Sequence, residues 1–328
     1  MLKTPQFWLQ KNSLISLILL PFCLIYKVGF LLKKFLVKTQ KVNLPIICIG
    51  NIIAGGSGKT PVALALGDFL KKNNFEFCYL TRGYKSNINQ VLIIDKHSNT
   101  NAQDVGDEAM LLADIAPTCV AKNRYLGYKK ILENNKYQMI VMDDGLQNFQ
   151  LDYALKILVI DSKIAFGNER LIPSGPLRQS LSDVAKNIDL FVIIGQKNLT
   201  IEKKIFQENP QSKILSAQIF ASNLDKFLNQ NIVAFCGIAY PQKFFDFVKN
   251  NGLNLIDTKA FADHYQYKIE DLEKLYQEAF LKNYKLITTK KDWVKFPKIF
   301  QEKIDYLDIK LEFEDETLLK NLLKYKLN

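Results

Sequence analysis

Short uninterrupted apolar runs alternate with segments of helical periodicity from residue 44 onwards. The apolar runs predict buried strands at residues 44–50, 75–81, 91–95, 137–142, 155–161 and 190–194. Apolar residues at helical spacing predict intervening helices at 60–72 and 106–116. Because strands and helices alternate, we expect right-handed βαβ units, and therefore an α/β fold with a largely parallel sheet and helices on both faces.

A shorter series of the same kind follows towards the C-terminus. It predicts strands at 232–239, 253–257 and 285–288, and helices at 241–250 and 269–282. The stretch at 196–231 between the two series is polar and is expected to be irregular, so the domain boundary is placed within it. We therefore predict three parts, namely an N-terminal segment (1–41), a larger α/β domain (42–220) and a smaller α/β domain (221–328).

The N-terminal segment has a different pattern from the rest of the chain. Residues 14–26 form an uncharged apolar run, LISLILLPFCLIY, which Lys27, VGFLL and a lysine pair follow. Thirteen residues are too few to cross a bilayer, which needs about 20. No A-x-A-like cleavage site follows the run, which argues against a secretory signal. We predict a helix that lies on the membrane or inserts shallowly, with a buried first helix as the alternative.

The positive charge of the chain is concentrated in that same segment. The 328 residues carry a formal net charge of +11. The first 41 residues hold no acid and seven lysines, which are Lys3, Lys11, Lys27, Lys33, Lys34, Lys38 and Lys41. Only +4 is left for the rest of the chain, so we expect no nucleic acid partner. An apolar and basic segment instead favours an anionic membrane surface.

Composition excludes several other kinds of chemistry. With 48% hydrophobic residues, the chain can bury a core and is not a disordered protein. Its five cysteines are scattered and include no C-x-x-C, and it has only two histidines. This argues against a disulfide framework or a zinc site and indicates a reducing compartment.

The strongest motif lies between the first predicted strand and the first predicted helix. It supplies eight candidate nucleotide-binding residues, which are Ala54, Gly55, Gly56, Ser57, Gly58, Lys59, Thr60 and Pro61. The glycines let backbone N–H groups approach phosphate oxygens, and the helix N-terminus adds partial positive charge. Lys59 is expected to reach the β- and γ-phosphates, and the Thr60 hydroxyl to coordinate Mg²⁺. The motif departs from the usual P-loop pattern at Ile53, where a glycine is common.

A second apolar strand ends in a pair of carboxylates, as nucleoside triphosphate sites of this kind require. The run YQMIVM at 137–142 is followed directly by Asp143 and Asp144. Either acid can hold the Mg²⁺ shell, and the sequence leaves the choice open. Together the two motifs predict a P-loop NTPase-like fold that binds ATP and Mg²⁺.

Seven segments follow one another in a characteristic order. They are GNIIAGGSGKTP (50–61), LTRGY (80–84), VGDEA (105–109), DDGLQ (143–147), GNERLIPSGPLR (167–178), FADHY (261–265) and TTKKDWVK (288–295). Their order and content resemble the motifs of the tetraacyldisaccharide 4'-kinases, the lipid A 4'-kinases. The chain departs from the family pattern at Ala109, Asn148, Gln179 and Lys290, which bears on fine substrate contacts rather than on the reaction.

The resemblance implies transfer of the γ-phosphoryl group of ATP to the 4'-hydroxyl of a lipid A disaccharide 1-phosphate precursor. It also implies two α/β/α domains hinged by a short β linker, at the cytoplasmic face of the inner membrane of a Gram-negative bacterium. Carried onto this sequence, it makes Asp107 the catalytic base and His264 the partner that tunes its pKa and orientation, and Lys59 of the P-loop completes the predicted catalytic set. We expect no obligate protein partner.

Arginine is scarce, since only four of the 44 basic residues are arginines. The planar guanidinium suits bidentate binding of phosphate, so the arginines within the motifs are candidate phosphate ligands. We predict that Arg82, Arg170 and Arg178 contact phosphates of ATP or lipid, or the acids that organise them, with structural salt bridges as the alternative. Asn168 and Gln147, in the same motifs, complete the predicted substrate-binding set.

A membrane-associated P-loop ATPase that switches a protein partner is the alternative function. Proteins of that class share the G-G-x-G-K-T sequence but usually carry a lysine just before the glycines. This chain has Ala54 at that position, which favours the kinase.

Overall fold

The structure is a computed structural model, and it describes residues 5–327. The strands are β1 Ile46–Gly50, β2 Phe77–Thr81, β3 Leu92–Ile94, β4 Thr118–Val120, β5 Met139–Asp143, β6 Leu155–Asp161, β7 Leu190–Ile194, β8 Ile214–Ala221, β9 Asn231–Cys236, β10 Asn254–Ala260, β11 Lys285–Thr289, β12 Asp305–Leu307 and β13 Ile309–Phe313. The helices are α1 Leu14–Ile18, α2 Leu20–Leu36, α3 Lys59–Lys72, α4 Ala102–Val105, α5 Asp107–Ala113, α6 Arg124–Leu132, α7 Leu181–Val184, α8 Leu199–Glu208, α9 Pro241–Asn250, α10 Ile269–Leu281, α11 Lys290–Trp293, α12 Lys298–Gln301 and α13 Glu316–Leu327. Short 3₁₀ helices occupy Gln6–Leu9, Ala185–Asn187 and Leu224–Phe227.

A nine-stranded sheet organises the larger of two lobes. Its strand order is β13-β8-β7-β6-β1-β5-β2-β4-β3. All neighbours are parallel except at the two edges, where β13 and β3 are antiparallel to their partners. The central strands β1, β2, β5 and β7 are buried along their whole length, which explains their unbroken apolar sequences. The prediction of a largely parallel α/β sheet is confirmed.

Helices cover both faces of this sheet. On one face, α3 packs with α13 through the buried side chains Leu66, Phe69, Leu70, Leu319, Leu322 and Leu323. On the other face, α8 contributes Ile201 and Ile205, and α6 contributes Tyr128 and Ile131. The result is a three-layer lobe in which the carboxyl ends of the parallel strands form one open edge.

The smaller lobe repeats this architecture on four strands. Its sheet has the order β10-β9-β11-β12 and is parallel throughout. Helix α9 packs against it through Phe244, Phe245 and Val248, and α10 through Leu272 and Leu275. The smaller lobe therefore has its own hydrophobic core.

Two features of the lobes differ from the sequence interpretation. The expectation of an irregular stretch at 196–231 is wrong, because helix α8 and strand β8 lie within it. The last strand and helix, β13 and α13, lie with the larger lobe, although the chain before them forms the smaller one. The domain division at residues 220 and 221 stays a prediction.

The N-terminal segment forms helices α1 and α2 on the outside of the larger lobe. No residue of α2 is buried, so the alternative of a buried first helix is wrong. The segment rests on residues 166–178, where Cys23 Sγ lies 3.1 Å from the carbonyl oxygen of Leu171. None of the helices within residues 5–327 has both the length and the apolar character to cross a bilayer. Lys3 lies outside the described residues, and membrane association stays a prediction.

Candidate active site

The loop between β1 and α3 folds into a cradle for phosphate. Gly55 and Gly58 have φ values of +106° and +85°, which side chains with a Cβ rarely adopt. A Cβ on Gly58 would lie 2.5 Å from Cδ1 of Ile194, so any other residue would require Ile194 to shift as well as the backbone to adopt an unfavourable φ. Asn51 Nδ2 donates a hydrogen bond to Ser57 Oγ at 2.6 Å and braces the loop. Because α3 begins directly after Gly58, its free N–H groups and positive dipole end face the cradle.

The carboxylates at the end of β5 meet the first turn of α3. This follows from the sheet, since β1 and β5 are parallel neighbours and end at the same edge. Thr60 Oγ1 donates to Asp143 Oδ2 at 3.0 Å. Lys59 Nζ and Arg178 Nη1 each lie 3.6 Å from Asp144 Oδ1. The structure thus brings together the lysine, threonine and acids that the sequence predicted for ATP and Mg²⁺.

The two neighbouring acids differ in protonation. Burial, together with the charges of Glu108 and Asp144, raises the pKa of Asp143 to about 7, against the opposing effect of Lys59 and Thr60. Burial also acts to raise the pKa of Asp144, but the charges of Lys59 and Arg178 bring it below its usual value. Without nucleotide, Asp144 is therefore ionised at neutral pH while Asp143 keeps part of its proton.

We expect this raised pKa to make the nucleotide-free protein less stable as pH rises from about 4 to about 7. In that window the folded state retains the Asp143 proton that the unfolded state has lost, so raising the pH favours unfolding. Asp143→Asn removes this dependence and raises the melting temperature at neutral pH. Thermal melts with a chelator present measure it, and Asp152→Asn, at an exposed site, serves as the control. A pH dependence that is identical in the wild type and Asp143→Asn would contradict it.

The acids fit a hard divalent cation. Asp143 Oδ1 is buried and accepts no hydrogen bond from any residue that the structure describes. Thr60 Oγ1, Asp143 and Asp144 offer oxygen donors only, which is the donor set that Mg²⁺ prefers. A cation would also remove the cost of burying a second carboxylate beside Asp144.

A second cluster joins the two lobes across the cleft. Asp107, the first residue of α5, is buried in the larger lobe. His264 of the smaller lobe places Nδ1 2.8 Å from Asp107 Oδ2 and 3.1 Å from Oδ1. Burial acts to raise the pKa of Asp107, but Lys291 and His264 lower it to about 2. The carboxylate is therefore ionised and able to accept a proton.

The backbone around His264 is held by a buried ion pair. His264 has a φ of +57°, and its N–H donates to the carbonyl of Gly237 at 2.8 Å. The Gly237 N–H in turn donates to Asp292 Oδ2 at 2.8 Å. Lys295 lies 2.5 Å from Asp292 Oδ1 and also donates to the carbonyl of Tyr265. Asp292 and Lys295 of the TTKKDWVK segment therefore fix the backbone of the FADHY segment, which carries His264.

Asp144 of the first cluster and Glu108, the chain neighbour of Asp107, border a cavity of about 510 Å³. Its polar wall consists of Thr81, Arg82, Tyr84, Glu108, Asp144, Gln147 and Arg178. Helix α2 supplies the opposite wall through Tyr26, Gly29, Phe30 and Lys33. The cavity therefore combines phosphate-binding chemistry on one side with a largely apolar helix on the other.

The structure separates the predicted substrate-binding residues into two groups. Arg82, Gln147 and Arg178 line the cavity, and Arg178 Nη1 donates to Gln147 Oε1 at 3.1 Å. Asn168 and Arg170 instead bind Ser16 of α1, with Nδ2 and Nη1 at 3.0 and 2.9 Å from its Oγ. Their contact with substrate stays a prediction, and here they attach the N-terminal segment to the larger lobe.

Sequence reasoning assigned no role to Glu108 or Lys291. Lys291 Nζ lies 3.0 Å from Glu108 Oε1 and 3.2 Å from His264 Nε2. Both residues fall inside quoted motifs, so the only signal was their presence in VGDEA and TTKKDWVK. Their contact depends on the approach of the two lobes, which no local pattern reveals.

The fold and the paired motifs define a P-loop α/β protein that binds a nucleoside triphosphate in the cleft edge of its larger sheet. The sequence profile of the family described as tetraacyldisaccharide-1-P 4'-kinase matches residues 15–328. The chain belongs to this family, as the motifs predicted.

Individual relatives agree with this assignment. The tetraacyldisaccharide 4'-kinase of Rickettsia typhi is 38% identical over 317 residues, which cover 96% of each chain. That of Rickettsia akari is 38% identical over 96% of this chain and 94% of its own. The crystal structure of the apo form of LpxK from Aquifex aeolicus, in complex with ATP, superposes with a TM-score of 0.77 at 25% identity, over 96% of this chain and 100% of that one. The alternative of an ATPase switch gains no support.

Proposed function

We propose that this protein is an ATP-dependent tetraacyldisaccharide 4'-kinase in lipid A biosynthesis, in which Asp107 is the base and the cavity under α2 receives the lipid acceptor. Family membership and the names of the relatives support the reaction. The observation that carries the residue roles is the cavity itself, which the Asp144 and Arg178 side chains border on one wall and α2 on the other.

The P-loop residues 54–61 hold the triphosphate of ATP. Lys59 and Arg178, both beside Asp144, are placed to stabilise the charge that develops as the γ-phosphoryl group is transferred. Thr60, Asp143 and Asp144 would hold Mg²⁺, which when bound neutralises charge on the phosphates. Lys59 and Arg178 also neutralise charge on the phosphates, from positions beside Asp144.

A second crevice, of about 450 Å³, is suited to the nucleoside. It opens at the carboxyl ends of β6 and β7, on the side of β1 away from β5. Ile194, which packs under Gly58, is part of its lining, so the crevice continues directly from the P-loop. Asn198 and Gln218 provide amides there, and Phe247 of the smaller lobe provides an apolar face. Ligands of open α/β sheets bind at this edge.

Asp107 removes the proton of the acceptor hydroxyl as the new P–O bond forms. Its carboxylate is ionised and buried, and it lies next to Glu108, whose side chain lines the cavity. His264 holds the carboxylate from the smaller lobe, so the base is complete only when the lobes meet. Closure of this kind also keeps water from the phosphoryl group, which limits wasteful hydrolysis of ATP.

The acceptor enters from the membrane side of the larger lobe. The exposed apolar side chains of α1 and α2 include Leu14, Ile18, Leu24, Ile25, Leu31, Leu32, Phe35 and Leu36. Together with Lys27, Lys33 and Lys34 they form a surface suited to anionic headgroups. We place this surface on the cytoplasmic face of the inner membrane, with the acyl chains of the acceptor along α2 and its sugar in the cavity.

The test of the function is transfer of labelled phosphate from ATP to detergent-dispersed tetraacyldisaccharide 1-phosphate by the full chain. We expect label on the lipid at the 4' position, in amounts that match the ADP formed. Consumption of ATP without labelled lipid, together with stimulation by a protein partner, would contradict the kinase assignment.

Membrane binding gives a separate prediction. We expect the triple variant Lys27→Glu, Lys33→Glu, Lys34→Glu to lose at least 100-fold in affinity for anionic vesicles, since each lysine near such a surface contributes about 1 kcal/mol. Co-sedimentation with vesicles of anionic and of neutral lipid measures this. The matched control replaces three exposed lysines of the smaller lobe, Lys249, Lys274 and Lys282. Equal losses in both triple variants would show that net charge, and not α2, governs binding.

A further inference from the structure

We propose that Lys291 is a positioning residue that fixes His264 as the neutral tautomer with its hydrogen on Nδ1, facing Asp107. The inference rests on the proposed role of Asp107 as the base. Lys291 lies in the short helix α11, which follows strand β11 of the smaller lobe.

The hydrogen-bonding capacities of Lys291, His264 and Asp107 together determine where the imidazole hydrogen lies. Lys291 Nζ lies 3.2 Å from His264 Nε2, and an ammonium group can only donate. Nε2 must therefore accept, which leaves the imidazole hydrogen on Nδ1. That nitrogen faces the Asp107 carboxylate, which can only accept while it is ionised. Each contact requires the same tautomer, and the two together specify it.

Two carboxylates of the larger lobe, Glu108 and Asp107, stabilise the protonated form of Lys291. Burial acts to lower the pKa of Lys291, but the carboxylates of Glu108 and Asp107 raise it above its usual value. The ammonium is 3.0 Å from Glu108 Oε1, so this ion pair forms only where the lobes are in contact. Glu108 thus links closure of the cleft to the orientation of His264.

The consequence for catalysis lies in the strength of the base. A positive imidazole would add to the lowering of the Asp107 pKa that Lys291 already causes, and would make the carboxylate a still weaker proton acceptor. A neutral imidazole still orients the carboxylate through Nδ1–H. The neighbouring ammonium donates to Nε2, so the single imidazole hydrogen stays on Nδ1.

Other groups also face His264. They are Asp107 and Glu108 on α5, Tyr84 and Lys85 in the loop after β2, Asp263 beside it in the chain, and Lys291 on α11. Asp263 Oδ1 is 3.8 Å from Nε2, farther than the Lys291 ammonium. Lys291 is the nearest of the charged groups that face Nε2 within residues 5–327, and the test is directed at it.

The chain offers a matched control for this lysine. Lys290, the preceding residue, also bridges the lobes, through an ion pair of 3.0 Å to Asp114. Replacing either lysine by methionine removes one charge and one bridge between lobes. Of the two, Lys291 is the one within hydrogen-bonding distance of His264.

The direct readout is the ¹⁵N spectrum of histidine-labelled full-length protein at neutral pH. The chain has two histidines, so His97→Gln assigns both signals. We expect His264 to bear its hydrogen on Nδ1 alone in the wild type and in Lys290→Met, and to lose this single form in Lys291→Met. We expect kcat of Lys291→Met to fall about tenfold or more, with its acidic limb moved to higher pH and the KM for ATP unchanged.

Two results would overturn the inference. One is wild-type His264 with its hydrogen on Nε2 or with both nitrogens protonated. The other is a Lys291→Met variant whose His264 ¹⁵N signals at neutral pH match those of Lys290→Met. If Lys291→Met does not fold, the position of the hydrogen on His264 in the wild-type spectrum is the remaining test, and a hydrogen on Nε2 overturns the inference. If Asp107→Asn retains full transfer, the proposed base is wrong, while the tautomer still decides the role of Lys291.

Discussion

Replacing Asp107 by asparagine is expected to lower phosphate transfer by about 10²–10⁴-fold while leaving ATP binding intact. The substitution keeps the size of the side chain and its contact with His264 Nδ1, but an amide cannot take the hydroxyl proton. The phosphate cradle lies elsewhere in the larger lobe, at the start of α3, so nucleotide affinity is unaffected. Transfer assays and equilibrium binding of ATP measure the two quantities separately.

The matched control for this variant is Asp104→Asn. Asp104 lies on α4, three residues away, and is exposed. We expect it to change neither transfer nor binding. If Asp107→Asn loses affinity for ATP in parallel with transfer, Asp107 supports the nucleotide site and is not the base.

The second large effect is expected at Lys59, where replacement by methionine removes a charge from the phosphate cradle. Transfer should fall by at least about 10²–10³-fold, the usual cost of losing one fixed group that stabilises transition-state charge. ATP affinity should fall as well, because Lys59 acts on bound ATP before any chemistry takes place. Methionine preserves the length of the side chain, so α3 still packs on the sheet.

Lys71→Met provides the comparison, since Lys71 lies in the last turn of the same helix and donates to the carbonyl of Ile115. We expect nearly wild-type transfer from it. Retention of ATP affinity in Lys59→Met would exclude the proposed contact with the triphosphate. The two variants therefore distinguish proton removal from nucleotide binding. Asp107→Asn impairs only proton removal, whereas Lys59→Met impairs both phosphate transfer and ATP binding.

The local pattern of apolar and polar residues predicted those strands and helices whose buried positions are apolar and whose exposed positions are polar. Strands β6 and β7 and helix α9 have the predicted bounds, since continuous apolar runs and helical spacing are read directly from neighbours in the chain. Strand β8 escaped prediction because it is only partly buried and includes polar residues. Its pairing with β13 joins residues nearly 100 positions apart, and such pairing leaves no local signal.

Some contacts of the candidate site could also be predicted from local sequence, and others could not. The P-loop and Asp143 adjoin β1 and β5, so a reading of strand ends was enough to place Thr60 beside the acid. The contact of Asp107 with His264 spans 157 positions, and only the family resemblance suggested it. Lys291 completes that cluster from a third segment, and spacing carries no information on a contact that forms between lobes.

The return of β13 to the larger sheet makes the smaller lobe an inserted module at the tip of a hairpin. Strands β8 and β13 are antiparallel neighbours, with Ala221 opposite Ile309. The smaller lobe is formed by the residues between these two positions, so it is an insertion between two paired strands of the larger sheet. The two connections are fastened together, because the N–H of Ser222 donates to the carbonyl of Asp308 at 2.9 Å. The smaller lobe is therefore attached to the larger sheet at one place, through two adjacent strand ends. All nine strands of the larger sheet lie outside residues 223–307, so excision of that stretch with a short turn in its place would retain every one of them.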